Sequence, residues 1–129
     1  MRKILLADDD ADDRAIIKDA METLEANDIM CYAENGMEAL SILHQLTPGD
    51  PPCLIILDLN MPKLNGTETL RELKNDERYR TIPVIILSTS INPMEKEKCM
   101  QLGAHSYITK PISFRESIDT ARTFLEFCG

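Results

Sequence analysis

Three stretches of the chain are unbroken apolar runs that each stop at a polar side chain. Ile4-Leu5-Leu6-Ala7 ends at Asp8, Cys53-Leu54-Ile55-Ile56-Leu57 at Asp58, and Val84-Ile85-Ile86-Leu87 at Ser88. Runs without alternation suit parallel strands whose two faces are both covered. Two weaker runs, Ile29 to Ala33 and Ser106 to Thr109, read as strands nearer the sheet edges. In chain order these five runs are taken as β1 to β5.

Between them the apolar positions change to helical spacing. Asp10 to Glu25 (α1) carries Ile17, Ala20, Met21 and Leu24 at i, i+3, i+4 and i+7, and opens with aspartates that suit the positive end of a helix. Gly36 to Leu46 (α2) shows Ala39, Leu40 and Leu43, and stops at a loop of Pro48, Gly49, Asp50, Pro51 and Pro52. Thr67 to Asn75 (α3) holds Leu70 and Leu73. Pro93 to Leu102 (α4) begins with a proline fit for a first helical turn and closes before Gly103. Ser113 to Phe127 (α5) puts Phe114, Ile118, Ala121 and Leu125 on one face, with Ser113 and Glu116 at capping-box spacing. The pattern is a (βα)5 unit. It predicts an α/β fold with a doubly wound, five-stranded parallel sheet and right-handed crossovers.

Length and charge narrow the functions available. The 129 residues suit one domain, taken to span 1–129 with no output domain after Gly129. A net charge of −8 opposes nucleic-acid binding, and no run approaches the length of a membrane span. The residues after Met1-Arg2-Lys3 are too short an apolar run for a signal peptide, so a cytoplasmic protein is expected. Cys31, Cys53, Cys99 and Cys128 are widely spaced, which suits reducing conditions. Cys31 and Cys53 lie inside apolar runs, as small buried hydrophobes do. With only His44 and His105 beside them, no zinc constellation forms at ligand spacing, and both histidines read as surface or packing residues.

In an open parallel sheet the ligand crevice lies beyond the carboxyl ends of the strands. Those ends carry Asp8-Asp9-Asp10, Asp58, Ser88 and Lys110-Pro111. Carboxylates converging on one rim repel each other unless a cation joins them, and a sparse set of hard oxygen ligands suits Mg²⁺. Asp10 is explained as the cap of α1; three aspartates in a row facing a fourth are not explained by capping. No G-x-G-x-x-G or P-loop follows β1, so the rim is built to take a cation first and a phosphoryl group through it.

Four blocks resemble the signatures of response regulator receiver domains, the phospho-acceptor modules of two-component signalling. They are Leu6-Ala7-Asp8-Asp9-Asp10, Ile56-Leu57-Asp58-Leu59-Asn60-Met61-Pro62-Lys63-Leu64-Asn65-Gly66, Ile86-Leu87-Ser88-Thr89-Ser90 and Tyr107-Ile108-Thr109-Lys110-Pro111. The resemblance runs from Lys3 to the last helix and is closest to stand-alone, chemotaxis-regulator-like receivers. The long α2–β3 loop and the Leu-Ser-Thr-Ser segment are similar to single-domain regulators that partner bacteriophytochrome-type kinases. It implies a flavodoxin-like strand order, 2-1-3-4-5.

The resemblance also assigns roles. It implies phosphorylation at Asp58 by a sensor histidine kinase or histidine phosphotransfer protein. It makes Asp9 a direct Mg²⁺ ligand, with Asp8 acting through water, Asp58 itself and the backbone carbonyl of Asn60 completing the set. Lys110 would reach a phosphoryl oxygen, and in the family the Lys110-Pro111 bond is usually cis. Ser88 would donate to the phosphoryl group and Tyr107 would turn inward with it. The α4-β5-α5 face would then engage a downstream protein target or form a homodimer. Asn60 and Ser90 would flank the approach of hydrolytic water. Asp12 and Asp13 read as solvated first-turn residues, and Pro62 and Gly66 as turn punctuation without chemistry. Two alternatives are weaker. An aspartyl-phosphate-type phosphatase needs a second acid where Asn60 stands, and a phosphorylation-independent pseudo-receiver would lack Asp9, Asp58 or Lys110.

Overall fold

The computed structural model describes residues 2–46, 49–89 and 92–129. Its elements run β1 (Ile4–Ala7), α1 (Ala11–Thr23), a short 3₁₀ turn (Asn27–Ile29), β2 (Met30–Ala33), α2 (Gly36–Leu46), β3 (Leu54–Asp58), α3 (Gly66–Lys74), β4 (Val84–Ser88), α4 (Pro93–Gln101), β5 (Ser106–Thr109) and α5 (Phe114–Glu126). The strands form one parallel sheet in the order β2-β1-β3-β4-β5. β1, β3 and β4 are buried along their whole length, as unbroken apolar runs require. β5 is half-exposed at its edge.

Alternate side chains of each strand feed two cores. Leu5, Ala7, Ile55, Leu57 and Ile86 meet Ala39 and Leu43 of α2, Leu70 and Leu73 of α3, and Cys99 of α4. Ile4, Leu6, Ile56 and Leu87 meet Ile17, Ala20 and Met21 of α1 and Ala121 and Phe124 of α5. The helices are capped as their sequences require. Asp10 Oδ1 accepts from the Asp12 and Asp13 N–H groups at 2.8 and 3.4 Å, and Asn65 with Glu68 forms a capping box at α3. Gly103, with φ of 105°, takes the left-handed position that ends α4.

Two expectations are corrected here. The buried residues of α5 are Ser117, Ala121 and Phe124, while Phe114 is 59% exposed. The inward stripe is therefore displaced from the predicted one, and Ser117 tolerates burial because its hydroxyl donates to the Phe114 carbonyl at 2.6 Å. Glu116 also reaches past Ser113, accepting from the Ile112 N–H at 3.3 Å, so only half of the capping box forms. The second correction concerns the cysteines. Cys53 and Cys128 form a disulfide whose Cα atoms lie 5.4 Å apart, because α5 returns the chain end to the start of β3. Cys31 and Cys99 are free, Cys31 only partly buried. The histidines pack as expected: His44 Nδ1 lies 2.7 Å from the Tyr79 hydroxyl, and His105 stands edge-on to Phe127.

Candidate functional site

Strand register brings the polar residues together. Ala7 pairs with Leu57, so the next residues on each strand, Asp8 and Asp58, leave the sheet side by side. Ser88 pairs with Thr109, so Lys110 follows at the same rim, and its N–H donates to the Ser88 carbonyl at 2.8 Å. Asp8, Asp58, Ser88 and Lys110 are all buried, whereas Asp9 is exposed at the mouth.

Asp8 is held from several sides. Its N–H donates to the Ala33 carbonyl at 3.0 Å, its Oδ1 accepts from the Asp10 N–H at 3.0 Å, and its carbonyl accepts from Arg14 Nη1 at 2.6 Å. Asp58 has looser support, the Asn60 N–H lying 3.5 Å from its Oδ1. Carboxylate oxygens of Asp8, Asp9 and Asp58 lie within 4.8 Å of one another. Burial and then the charge of Asp8 push the Asp58 carboxyl up from 3.8 to about 6, with Lys110 opposing them. The ammonium of Lys110 lies 2.9 Å from Asp8 Oδ2, 2.7 Å from Asp13 Oδ2 and 3.4 Å from Asp58 Oδ2. Burial alone would lower the Lys110 pKa, but hydrogen bonds to Asp13 and Asp8 and the charges of Asp8 and Asp58 raise it. The amine is therefore a fixed cation. One lysine does not neutralise this many carboxylates, and the donor set fits a small, hard divalent cation.

The loop after Asp58 turns tightly before α3. Lys63 has φ of 66° at the centre of a three-residue turn, shut by the Leu64 N–H on the Pro62 carbonyl at 2.7 Å. Gly66 does more than punctuate this loop. A Cβ there would lie 2.3 Å from the Asp58 carbonyl oxygen and 2.8 Å from Leu59 Cα, so only glycine lets α3 start this close to Asp58.

Residues 4–122 match the response regulator receiver domain model. The chain belongs to that family. Receivers are the phospho-acceptor modules of two-component signalling, and the relatives agree. The chemotaxis protein CheY homolog of Campylobacter jejuni is 32% identical over 111 residues, covering 86% of this chain and 82% of that protein. The polar-differentiation response regulator DivK of Brucella anthropi is 29% identical, covering 96% of each chain. Among solved structures, the phosphorylated cyanobacterial phytochrome response regulator RcpA superposes with a TM-score of 0.85 at 34% identity, covering 98% of this chain and 92% of that one.

The receiver rim thus assembles the predicted Asp8, Asp9, Asp58, Ser88 and Lys110. Asn60 follows on the exposed side, and Tyr107 is half-buried against the α2–α3–α4 core. Ser90 lies outside the described residues. One residue was misread: Asp13, expected to be solvated, makes the shortest contact of Lys110. The available signal was directional. Side chains of a first helical turn lean back toward the helix N-terminus, and α1 begins at this rim. Among the described residues no helix is long and apolar enough to cross a membrane.

Proposed function

We propose that the protein accepts a phosphoryl group on Asp58 from a sensor histidine kinase or a histidine phosphotransfer protein and passes the signal on by protein contact. The observation that carries this reading is a buried Asp58 carboxylate beside Asp8 and Asp9 at metal-ligand spacing, with Lys110 3.4 Å away. In the transfer, a carboxylate oxygen of Asp58 attacks phosphorus in line. The bond from phosphorus to the donor's imidazole nitrogen breaks, and the imidazole leaves with the bonding pair. Lys110 supplies a fixed positive charge to a phosphoryl oxygen, and the Ser88 hydroxyl at the end of β4 donates to another. Asp8, Asp9, Asp58 and the backbone carbonyl of Asn60 would hold Mg²⁺, which when bound neutralises phosphoryl oxygens. The relative Rcp1, at 28% identity and a TM-score of 0.80, is known in a Mn²⁺-bound form, which supports the binding of a divalent ion by this chain. Loss of the phosphoryl group to water resets the protein, so it is not a turnover enzyme on an external substrate.

The switch surface is read as α4-β5-α5, available to a downstream target or a second copy. α4 supports this, since Cys99 is its one buried side chain while Met94 is 79% exposed. A helix anchored so lightly moves at low cost, and Ser88 and Tyr107 lie on the strands beside it. The deciding test is intact-mass measurement after incubation with acetyl phosphate and Mg²⁺. One added phosphoryl group is expected, and none in Asp58→Asn. Labelling that persists in Asp58→Asn overturns the assignment.

A further inference from the structure

Asp13 has no duty in the fold that its neighbours leave undone. The cap of α1 is supplied by Asp10, and Asp12 already places an exposed acid in the first turn. Yet Asp13 Oδ2 accepts from Lys110 Nζ at 2.7 Å across 97 residues of sequence, closer than Asp8 at 2.9 Å or Asp58 at 3.4 Å. Asp13, Ile16, Ile17, Leu87, Lys110 and Pro111 line one narrow crevice, so the lysine stem runs along α1 toward Asp13.

We propose that Asp13 is the resting counter-ion of Lys110, a positioning residue that holds the ammonium on the α1 side of the rim and must be displaced when a phosphoryl group arrives at Asp58. It thereby sets how readily the site takes up phosphate. The proposal rests on the reading of Asp58 as the acceptor. Its physics is competition for one cation. An ammonium has three donors on a flexible stem, and a phosphoryl group brings several strong acceptor oxygens. The Asp13 side chain is 30% exposed against 2% for Asp8, so water takes over the Asp13 carboxylate when the lysine leaves. Asp8 stays paired and Asp13 is the partner that lets go.

Competition gives effects of opposite sign. Asp13→Asn keeps the side-chain volume and removes the charge. Without its counter-ion Lys110 settles onto Asp8 and Asp58, where it opposes a divalent cation, so Mg²⁺ alone should bind about three- to fivefold more weakly by calorimetry. At saturating Mg²⁺ the freed ammonium is available to an anion. Beryllofluoride, followed by amide spectra, should then bind about three- to fivefold more tightly, and acetyl phosphate should label Asp58 faster. Asp12→Asn removes the same charge from the same turn without touching Lys110, and should change each constant less than about twofold. Asp13→Glu, which restores the carboxylate, should return both constants toward wild type.

Weakening of both ligands, no change in either, or an equal effect from Asp12→Asn overturns the proposal. A wild-type protein that takes neither beryllofluoride nor acetyl phosphate overturns the acceptor reading instead, while the Mg²⁺ comparison still decides the place of Asp13.

Discussion

At the amino ends of the strands, polar groups meet partners closely and in matched numbers. Arg2 Nε and Nη2 donate to the Pro51 and Pro52 carbonyls at 3.0 and 2.9 Å, and Lys3 Nζ donates to the Asp28 carbonyl at 2.7 Å. The Cys53 N–H donates to the Lys3 carbonyl at 2.8 Å, and the Cys53–Cys128 disulfide ties the chain end to the same rim. At the carboxyl ends the balance differs. Asp8, Asp13 and Asp58 share the ammonium of Lys110, and Asp9 stands beside them. Both rims close the same two cores, so the difference is not one of packing. One rim is saturated and stabilises the fold. The other keeps an uncompensated charge that costs stability and gives a cation and a phosphoryl group something to act on.

The largest effect should come from opening the saturated rim. The disulfide closes a sequence separation of 75 residues. Cys128→Ser, or reduction of the wild type, should lower unfolding free energy by about 2–4 kcal/mol in urea denaturation. Mg²⁺ affinity should stay within about twofold, because the carboxylates lie at the far ends of the strands. A parallel fall in Mg²⁺ affinity would show that the rims are not independent.

The second effect has the opposite sign. Because the Asp58 carboxyl is raised from 3.8 to about 6, its stabilising contribution is fully present below pH 4 and lost as pH rises through 6. At pH 7.5 the ionised group is therefore a net cost, reduced but not cancelled by Lys110. Asp58→Asn, in a chelator and without Mg²⁺, should raise stability by on the order of 1 kcal/mol. Mg²⁺ should then stabilise this variant less than it does the wild type. If Asp58→Asn is the less stable protein without Mg²⁺, the carboxyl rim is not under electrostatic strain and the contrast fails.

Most of this organisation is legible in the sequence, for a physical reason. A strand covered on both faces must be apolar throughout, so β1, β3 and β4 and the residues that end them stand out. Parallel strands then bring Asp8, Asp58, Ser88 and Lys110 to one rim whatever the loops do. What escaped depends on phase and return paths. The stripes Phe114-Ile118-Ala121-Leu125 and Ser117-Ala121-Phe124 share a periodicity, and the packing of α5 against α1 and the sheet selects between them. Asp13 needed the direction of its side chain as well as its position. Cys128 meets Cys53 only through the full path of α5, which no local pattern encodes.

The smallest effect tests whether acidic excess is felt away from the rim. On β2, Tyr32 donates its hydroxyl proton to Asn27 Oδ1 at 2.8 Å. Burial first, then the charges of Glu22 and Asp19, push its phenol from 10.0 to about 12. The same chain acidity thus acts on a group that stays neutral at physiological pH and carries no cost there. The sign follows: the stabilising contribution of Tyr32 is complete below pH 10 and lost as pH rises through 12. Of the three tyrosines, Tyr32 is isolated by the 295 nm absorbance difference between wild type and Tyr32→Phe. At pH 11 that difference should show the folded phenol only about one-tenth ionised. At neutral pH, Tyr32→Phe should cost less than about 1 kcal/mol, the net value of one hydrogen bond. Ionisation near pH 10 would mean that water reaches the Tyr32 phenol, removing the effect of burial, and also screens it from the α1 carboxylates. The site's charge imbalance would then have to arise from burial at the carboxyl rim alone, and not from the acidity of the chain as a whole.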